Sequence, residues 1–105
     1  MHKLVFFVPV SHVDVVKQAV FDAGAGRIGN YEHCSWQVLG EGQFRPMDGS
    51  SPFVGCLGEM AQVEEYRVEM VCADELLQEA VRALLAAHPY EEPAYDVWQL
   101  AEVIV

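Results

Sequence analysis

Near the start of the chain lies an almost unbroken apolar run, Leu4-Val-Phe-Phe-Val-Pro-Val10, which restricts the fold more than any other segment. Val and Phe at successive positions leave no polar side, so the run fits a central strand buried on both faces better than an edge strand or an amphipathic helix. It is far shorter than the roughly 20 apolar residues a membrane helix needs. Pro9 interrupts it and no small-residue cleavage site follows, so a secretory signal is not expected. A chain of 105 residues is read as one domain, 1–105, whose remaining elements must cover this strand.

Those elements follow from changes of period. Ser11-His-Val-Asp14 resembles a capping box, and Val13, Val16 and Val20, flanked by Phe21, recur at helical spacing until Gly24 offers a left-handed stop. Cys34 to Leu39 reads as a second strand with Cys34, Trp36 and Val38 on one face, punctuated by Gly40 and Gly42. A long connection from about Phe44 to Val63 precedes the alternation of Tyr66, Val68, Met70 and Cys72, a third strand. Asp74 is expected to cap a second helix with the stripe Leu76, Leu77, Ala80, Val81, Leu84 and Leu85, which His88-Pro89 ends. Ala94 to Leu100 supplies a fourth strand, and Val103 to Val105 an apolar tail.

The order βαββαβ packs most economically as a four-stranded antiparallel sheet with both helices on one face, the α+β ferredoxin-like sandwich. The strands carry too many apolar residues for the other face to stay wet, and Phe44, Phe53, Val54 and Leu57 lie in a loop that would otherwise be polar. Self-association is the expected cover. Phe44, Arg45, Pro46, Phe53 and Val54 are the expected subunit contact, with Arg45 meeting Glu91 or Glu92 of a neighbour.

Six basic against sixteen acidic residues give a net charge of −10, which repels nucleic acid and anionic membrane surfaces and leaves a basic protein as a possible partner. Cys34, Cys56 and Cys72 are odd in number and lack CxxC spacing, so neither a disulfide framework nor a zinc knuckle is implied, and a reducing cytoplasm is the expected home.

Two segments are chemically denser than a helix stop requires. Gly24-Ala-Gly-Arg-Ile-Gly-Asn-Tyr31 spells GxGxxG, but a dinucleotide fingerprint needs a strand before the glycines and a helix N-terminus after them, and here a helix ends there. His33 and Cys34 would point to opposite faces of a strand and so cannot chelate one ion; they read as a surface His beside a core Cys. In His88-Pro-Tyr-Glu-Glu-Pro93, two carboxylates follow a helix C-terminus, where the dipole disfavours negative charge unless a cation or donors offset it. Gly29, Asn30, Tyr31, His88, Tyr90, Glu91 and Glu92 are therefore the candidate ligand or interaction surface. His88, Glu91 and Glu92 are the candidate ligands of a divalent metal, the one cofactor the residues leave open.

Together with Cys34-Ser-Trp36, Gly40-Glu-Gly-Gln-Phe-Arg-Pro46, Val54-Gly55, Glu69 and Ala94-Tyr-Asp96, these two segments resemble the domain inserted into bacterial proteins of the YqfO/Nif-three family, the GTP cyclohydrolase I type 2 homologues. The resemblance spans nearly the whole chain. It implies a PII/CutA-like fold that assembles as a trimer through its sheets. It also implies that the family's two-metal centre and any hydrolase chemistry belong to a flanking main domain with no counterpart in this sequence. The expectation is a stand-alone, non-catalytic, self-associating regulatory or interaction module. The alternatives are a small-ligand or divalent-metal-binding protein with its site at a subunit junction, and a metal-dependent hydrolase of the parent kind.

Overall fold

The computed structural model describes residues 1–105. Its elements are β1 (His2–Pro9), α1 (Val13–Asp22), β2 (Trp36–Phe44), β3 (Ala61–Cys72), α2 (Leu77–Ala87) and β4 (Tyr95–Gln99), with single 3-10 turns at Val10–His12 and Asp74–Leu76 ahead of the two helices. The sheet order is β2-β3-β1-β4. All three pairings are antiparallel, with Leu4 opposite Met70 and Val97, and Val38 opposite Arg67. This is the ferredoxin-like order.

Alternate residues of β1 and β3 make the core. Leu4, Phe6, Val8, Val68, Met70 and Cys72 pack against Val13, Val16, Val20 and Phe21 of α1 and Ala80 and Leu84 of α2. Val5 is equally inaccessible, yet it stands outside this cluster because it faces the other side of the sheet. The expected two-sided burial of β1 is thereby met.

Helix α1 ends in a Schellman motif. Gly24, at φ 108°, donates its N–H to Phe21 O (2.9 Å), and Ala25 donates to Val20 O (3.3 Å), satisfying carbonyls left over at the helix end. Helix α2 ends because Pro89 pushes His88 into extended backbone (φ −70°, ψ 136°).

Several boundaries differ from expectation. Neither helix has a side-chain cap: Ser11 Oγ bonds His12 Nδ1 (2.8 Å), and the Asp74 carboxylate is taken by the Met1 amine (2.5 Å) and His2 Nδ1 (2.7 Å). A 3-10 turn precedes each helix instead. Strand β2 starts at Trp36 and runs through Gly40 and Gly42 to Phe44, while β3 starts at Ala61 rather than Tyr66. The two pair from Trp36↔Glu69 to Phe44↔Ala61, beyond Pro9↔Glu65 where β1 ends, so the sheet is prolonged as a two-stranded ribbon. β4 covers only Tyr95–Gln99, and Leu85 is exposed rather than part of the α2 stripe. Cys34 is half-buried and precedes β2, and His33 is left-handed (φ 58°) with its ring stacked on Phe21 at 4.8 Å. The opposite-face argument for that pair therefore does not apply.

Candidate functional site

The extended β2-β3 ribbon carries residues 45–60 over the end of β1, where the segment after α2 also arrives. Between them lies a cavity of about 530 Å³ whose lining includes Phe44, Arg45, Pro46, Phe53, Tyr90 and Glu91. Both the loop and the carboxylate segment singled out in the sequence meet here, within one chain.

Tyr90 is the centre of this arrangement. Its ring lies 6.1 Å from Phe44, 6.3 Å from Phe53 and 4.8 Å from His88, centroid to centroid. Phe53 meets His12 edge-on at 5.4 Å. The Tyr90 hydroxyl is buried and has no hydrogen-bond partner, although the Glu65 carboxylate is close by. Burial first, then the negative charge of Glu65, pushes the Tyr90 pKa up to about 12. Glu65 is placed by its neighbour strand: a Cβ on Gly42 would fall 2.7 Å from Glu65 Cδ, so the glycine leaves the space in which this carboxylate lies across β2. The loop is held by its own turns and by a bond across the cavity mouth, Ser51 N–H donating to Glu91 Oε2 (3.0 Å).

His88 lies beneath Tyr90 and is 6% exposed. Its Nε2 is 2.7 Å from Phe7 O, and its Nδ1 accepts the N–H of Tyr90 (3.0 Å). A carbonyl takes only a donor and an amide N–H needs an acceptor, so these partners specify the neutral Nε2–H tautomer. Burial lowers the His88 pKa, the bond to Phe7 opposes this, and His12 adds to the lowering. The extra proton would also set Nδ1–H against the Tyr90 N–H.

Within the single chain, His88, Glu91 and Glu92 do not gather around one point. Both His88 nitrogens are occupied, so the ring has no lone pair to offer with Glu91 and Glu92, and nowhere do three or more His, Cys, Asp or Glu side chains gather as a metal site requires.

The candidate surface is also divided. Ile28 and Tyr31 exchange backbone bonds of 2.9 Å each way around Gly29 and Asn30, with Gly29 at φ 55°, and Tyr31 projects into solvent. This tight turn belongs to the end of the sheet where Gly26 N–H bonds Val71 O (2.7 Å) and Lys3 pairs with Val71. Tyr90, Glu91 and Glu92 lie at the Phe7 end. Gly29, Asn30 and Tyr31 thus share no site with them; a smaller hollow beside Ile28, Cys34, Trp36 and Glu69 is their neighbour. No helix starts after the glycines, consistent with a turn rather than a phosphate cradle.

The expected contact residues border the chain's own cavity, with Arg45 and Phe53 still exposed. Phe44, Arg45, Pro46, Phe53 and Val54 line the chain's own cavity, with Arg45 and both Glu91 and Glu92 on the same walls. A more prominent uncovered surface is the open sheet face, which the sequence had not resolved residue by residue. Trp36 and Trp98 are 61% and 46% exposed, Val38 is also exposed, and Val5 is buried at the centre. Arg67 reaches across, with its guanidinium carbon 5.8 Å from the Phe7 centroid and 5.9 Å from that of Trp98.

The strand order and the helix-covered core define a CutA-like domain of ferredoxin type. The CutA protein of Archaeoglobus fulgidus superposes with a TM-score of 0.69 at 13% identity, covering 99% of this chain and 88% of that one, a likeness of fold alone. Relatives in sequence are more specific. The chain is 52% identical over 100 residues to the GTP cyclohydrolase 1 type 2 homolog of Mycobacterium leprae, covering 95% of this chain and 26% of that protein. A Bacillus cereus protein related to NIF3 superposes with a TM-score of 0.82 at 44% identity, over 96% of this chain and 26% of that one. No protein-family profile matches. The chain is homologous over nearly its full extent to one segment of these NIF3-related proteins, and it spans about a quarter of the length of the curated relatives it matches.

Proposed function

We propose that this chain is a non-catalytic regulatory or interaction domain that self-associates, as a trimer, through the open face of its sheet. The observation that carries the reading is the surface the single chain leaves uncovered. Its accessible area is 6892 Å², whereas a monomeric protein of 11.7 kDa exposes about 5,900 Å². The excess, about 1,000 Å², is comparable to the roughly 800 Å² that each partner loses in a stable interface. The radius of gyration, 14.9 Å, likewise exceeds the roughly 13 Å of a compact chain of this length. Exposed tryptophans around an arginine, over a buried Val5, have the aromatic and Arg-rich character of an interface centre.

Burial of these aromatics drives the association, and the loop bearing Phe53 contributes at its edge. In the longer NIF3-related proteins a segment of this kind would organise the assembly and control access to chemistry located elsewhere. Trp36→Glu and Trp98→Glu together are expected to give a folded monomer by light scattering with unchanged helical circular dichroism. Phe53→Asp is expected to weaken the assembly less. A Trp36→Glu, Trp98→Glu protein that stays fully assembled would sink the reading.

A further inference from the structure

We propose that the cavity beneath the 45–60 loop binds a small organic cation, an alkylammonium or quaternary ammonium compound. The inference stands on the cavity and does not depend on the assembly proposed above. A volume of about 530 Å³ lies within the range of pockets that hold small molecules, roughly 300–1,000 Å³.

The walls decide the class of ligand. Four carboxylates, from Asp48, Glu65, Glu91 and Glu92, face one basic group, Arg45, so an anion is repelled. A neutral apolar molecule would displace water from these carboxylates without replacing its hydrogen bonds or charge stabilisation. A hard divalent ion requires convergent oxygen ligands, and none converge. An organic cation meets both features of the lining at once. Phe44 and Phe53 stand about Tyr90 at 6.1 and 6.3 Å with tilts of 55° and 46°, and all three rings line the cavity. A positive group seated there lies within roughly 6 Å of more than one ring, the reach of cation–π attraction. The carboxylates supply the opposite charge, and the apolar part of the ligand covers Pro46 and Phe7.

Two details suit such an occupant. Glu91 is anchored by Ser51 N–H (3.0 Å), so binding has little loop order left to impose. The Glu65 carboxylate lies in the space that Gly42 leaves, on the cavity wall and near the unpaired Tyr90 hydroxyl, where a cation would meet it. The net charge of −10 adds long-range attraction.

The test is an ¹H–¹⁵N titration of the assembled protein at constant ionic strength with choline and n-butylammonium, beside their neutral counterparts 3,3-dimethyl-1-butanol and 1-butanol, and with Mg²⁺. Saturable shifts at Gly49, Ser51, Tyr90 and Glu91 are expected for at least one ammonium ion, at least tenfold tighter than for its neutral counterpart. Glu65→Gln is expected to weaken that binding about tenfold and Phe44→Leu about two- to fivefold, with the number of subunits unchanged. Equal response to the neutral compounds, the same shifts with Mg²⁺, or no saturable response to either ammonium ion overturns the proposal.

Discussion

Replacing His88 by Leu tests whether a buried neutral imidazole ties the end of β1 to the segment after α2. The substitution keeps an apolar side chain of moderate size but removes two hydrogen bonds, Nε2–H to Phe7 O (2.7 Å) and Tyr90 N–H to Nδ1 (3.0 Å). Each buried group left unpaired costs about 1–3 kcal/mol, and partial access of water at Tyr90 makes about 2–4 kcal/mol the expected total. For a domain of this size each kcal/mol corresponds to about 4–8 °C in Tm, so a fall of about 10–30 °C is expected. The assay is thermal and urea unfolding followed by tryptophan fluorescence at one fixed protein concentration, because assembly contributes to apparent stability.

The pH dependence gives a second readout of the same residue. An unfolded His takes up its proton near pH 6.5, whereas folded His88 does so at lower pH because of burial. Between those values the unfolded chain binds more protons, so the His88 contribution is fully present above pH 6.5 and declines as pH falls toward the folded value. His88→Gln retains a donor and cannot titrate; it should lose less stability than His88→Leu and should flatten this part of the profile. A loss under about 0.5 kcal/mol in His88→Leu, or an acid slope unchanged in His88→Gln, would refute the bridging role.

Tyr90 should behave in the opposite direction. Its folded pKa of about 12 lies above the unfolded value near 10, so its stabilisation is intact below pH 10 and is lost as pH rises toward 12. Glu65→Gln should bring the Tyr90 titration, followed by its ring carbon resonances, partly down; no movement would show that Glu65 does not act on the hydroxyl. Gly24→Ala should destabilise by more than about 1 kcal/mol, since φ is 108° and the added Cβ would fall 2.7 Å from Leu76 Cδ1. Unchanged urea unfolding would contradict the Schellman stop.

The parts of the fold legible in the sequence are those fixed by local apolar period. Leu4 to Val8 and Val68 to Cys72 carry the strand pattern, Val13 to Val20 and Ala80 to Leu84 the helical one, and the residues on one face of each enter the core. The strand ribbon was hidden because Gly40, Glu41, Gly42 and Glu64 are poor strand formers, held extended here by the pairing of β2 with β3. The absent caps illustrate a competing partner: Ser11 is held by His12, and Asp74 by the Met1 amine and His2, a residue 72 positions away.

At the site, composition drew attention to the loop and to Tyr90, Glu91 and Glu92, but it could not bring them together within one chain, because the join depends on β2 and β3 extending past β1. Nor did it find Glu65. The signal available was Gly42, two positions beyond Gly40 on β2, whose missing side chain is the room that Glu65, across the hairpin, occupies. His88 was singled out for its chemistry, and its role is structural: the extended residue before Pro89 swings its ring onto Phe7 O.

Native mass spectrometry of the purified chain tests the central claim most directly, because it counts subunits without a label. A trimer that reverts to monomer when Trp36 and Trp98 are both changed to Glu is the expected result. A wild-type chain that is monomeric at micromolar concentration would contradict the account, leaving the open sheet face without the cover assigned to it.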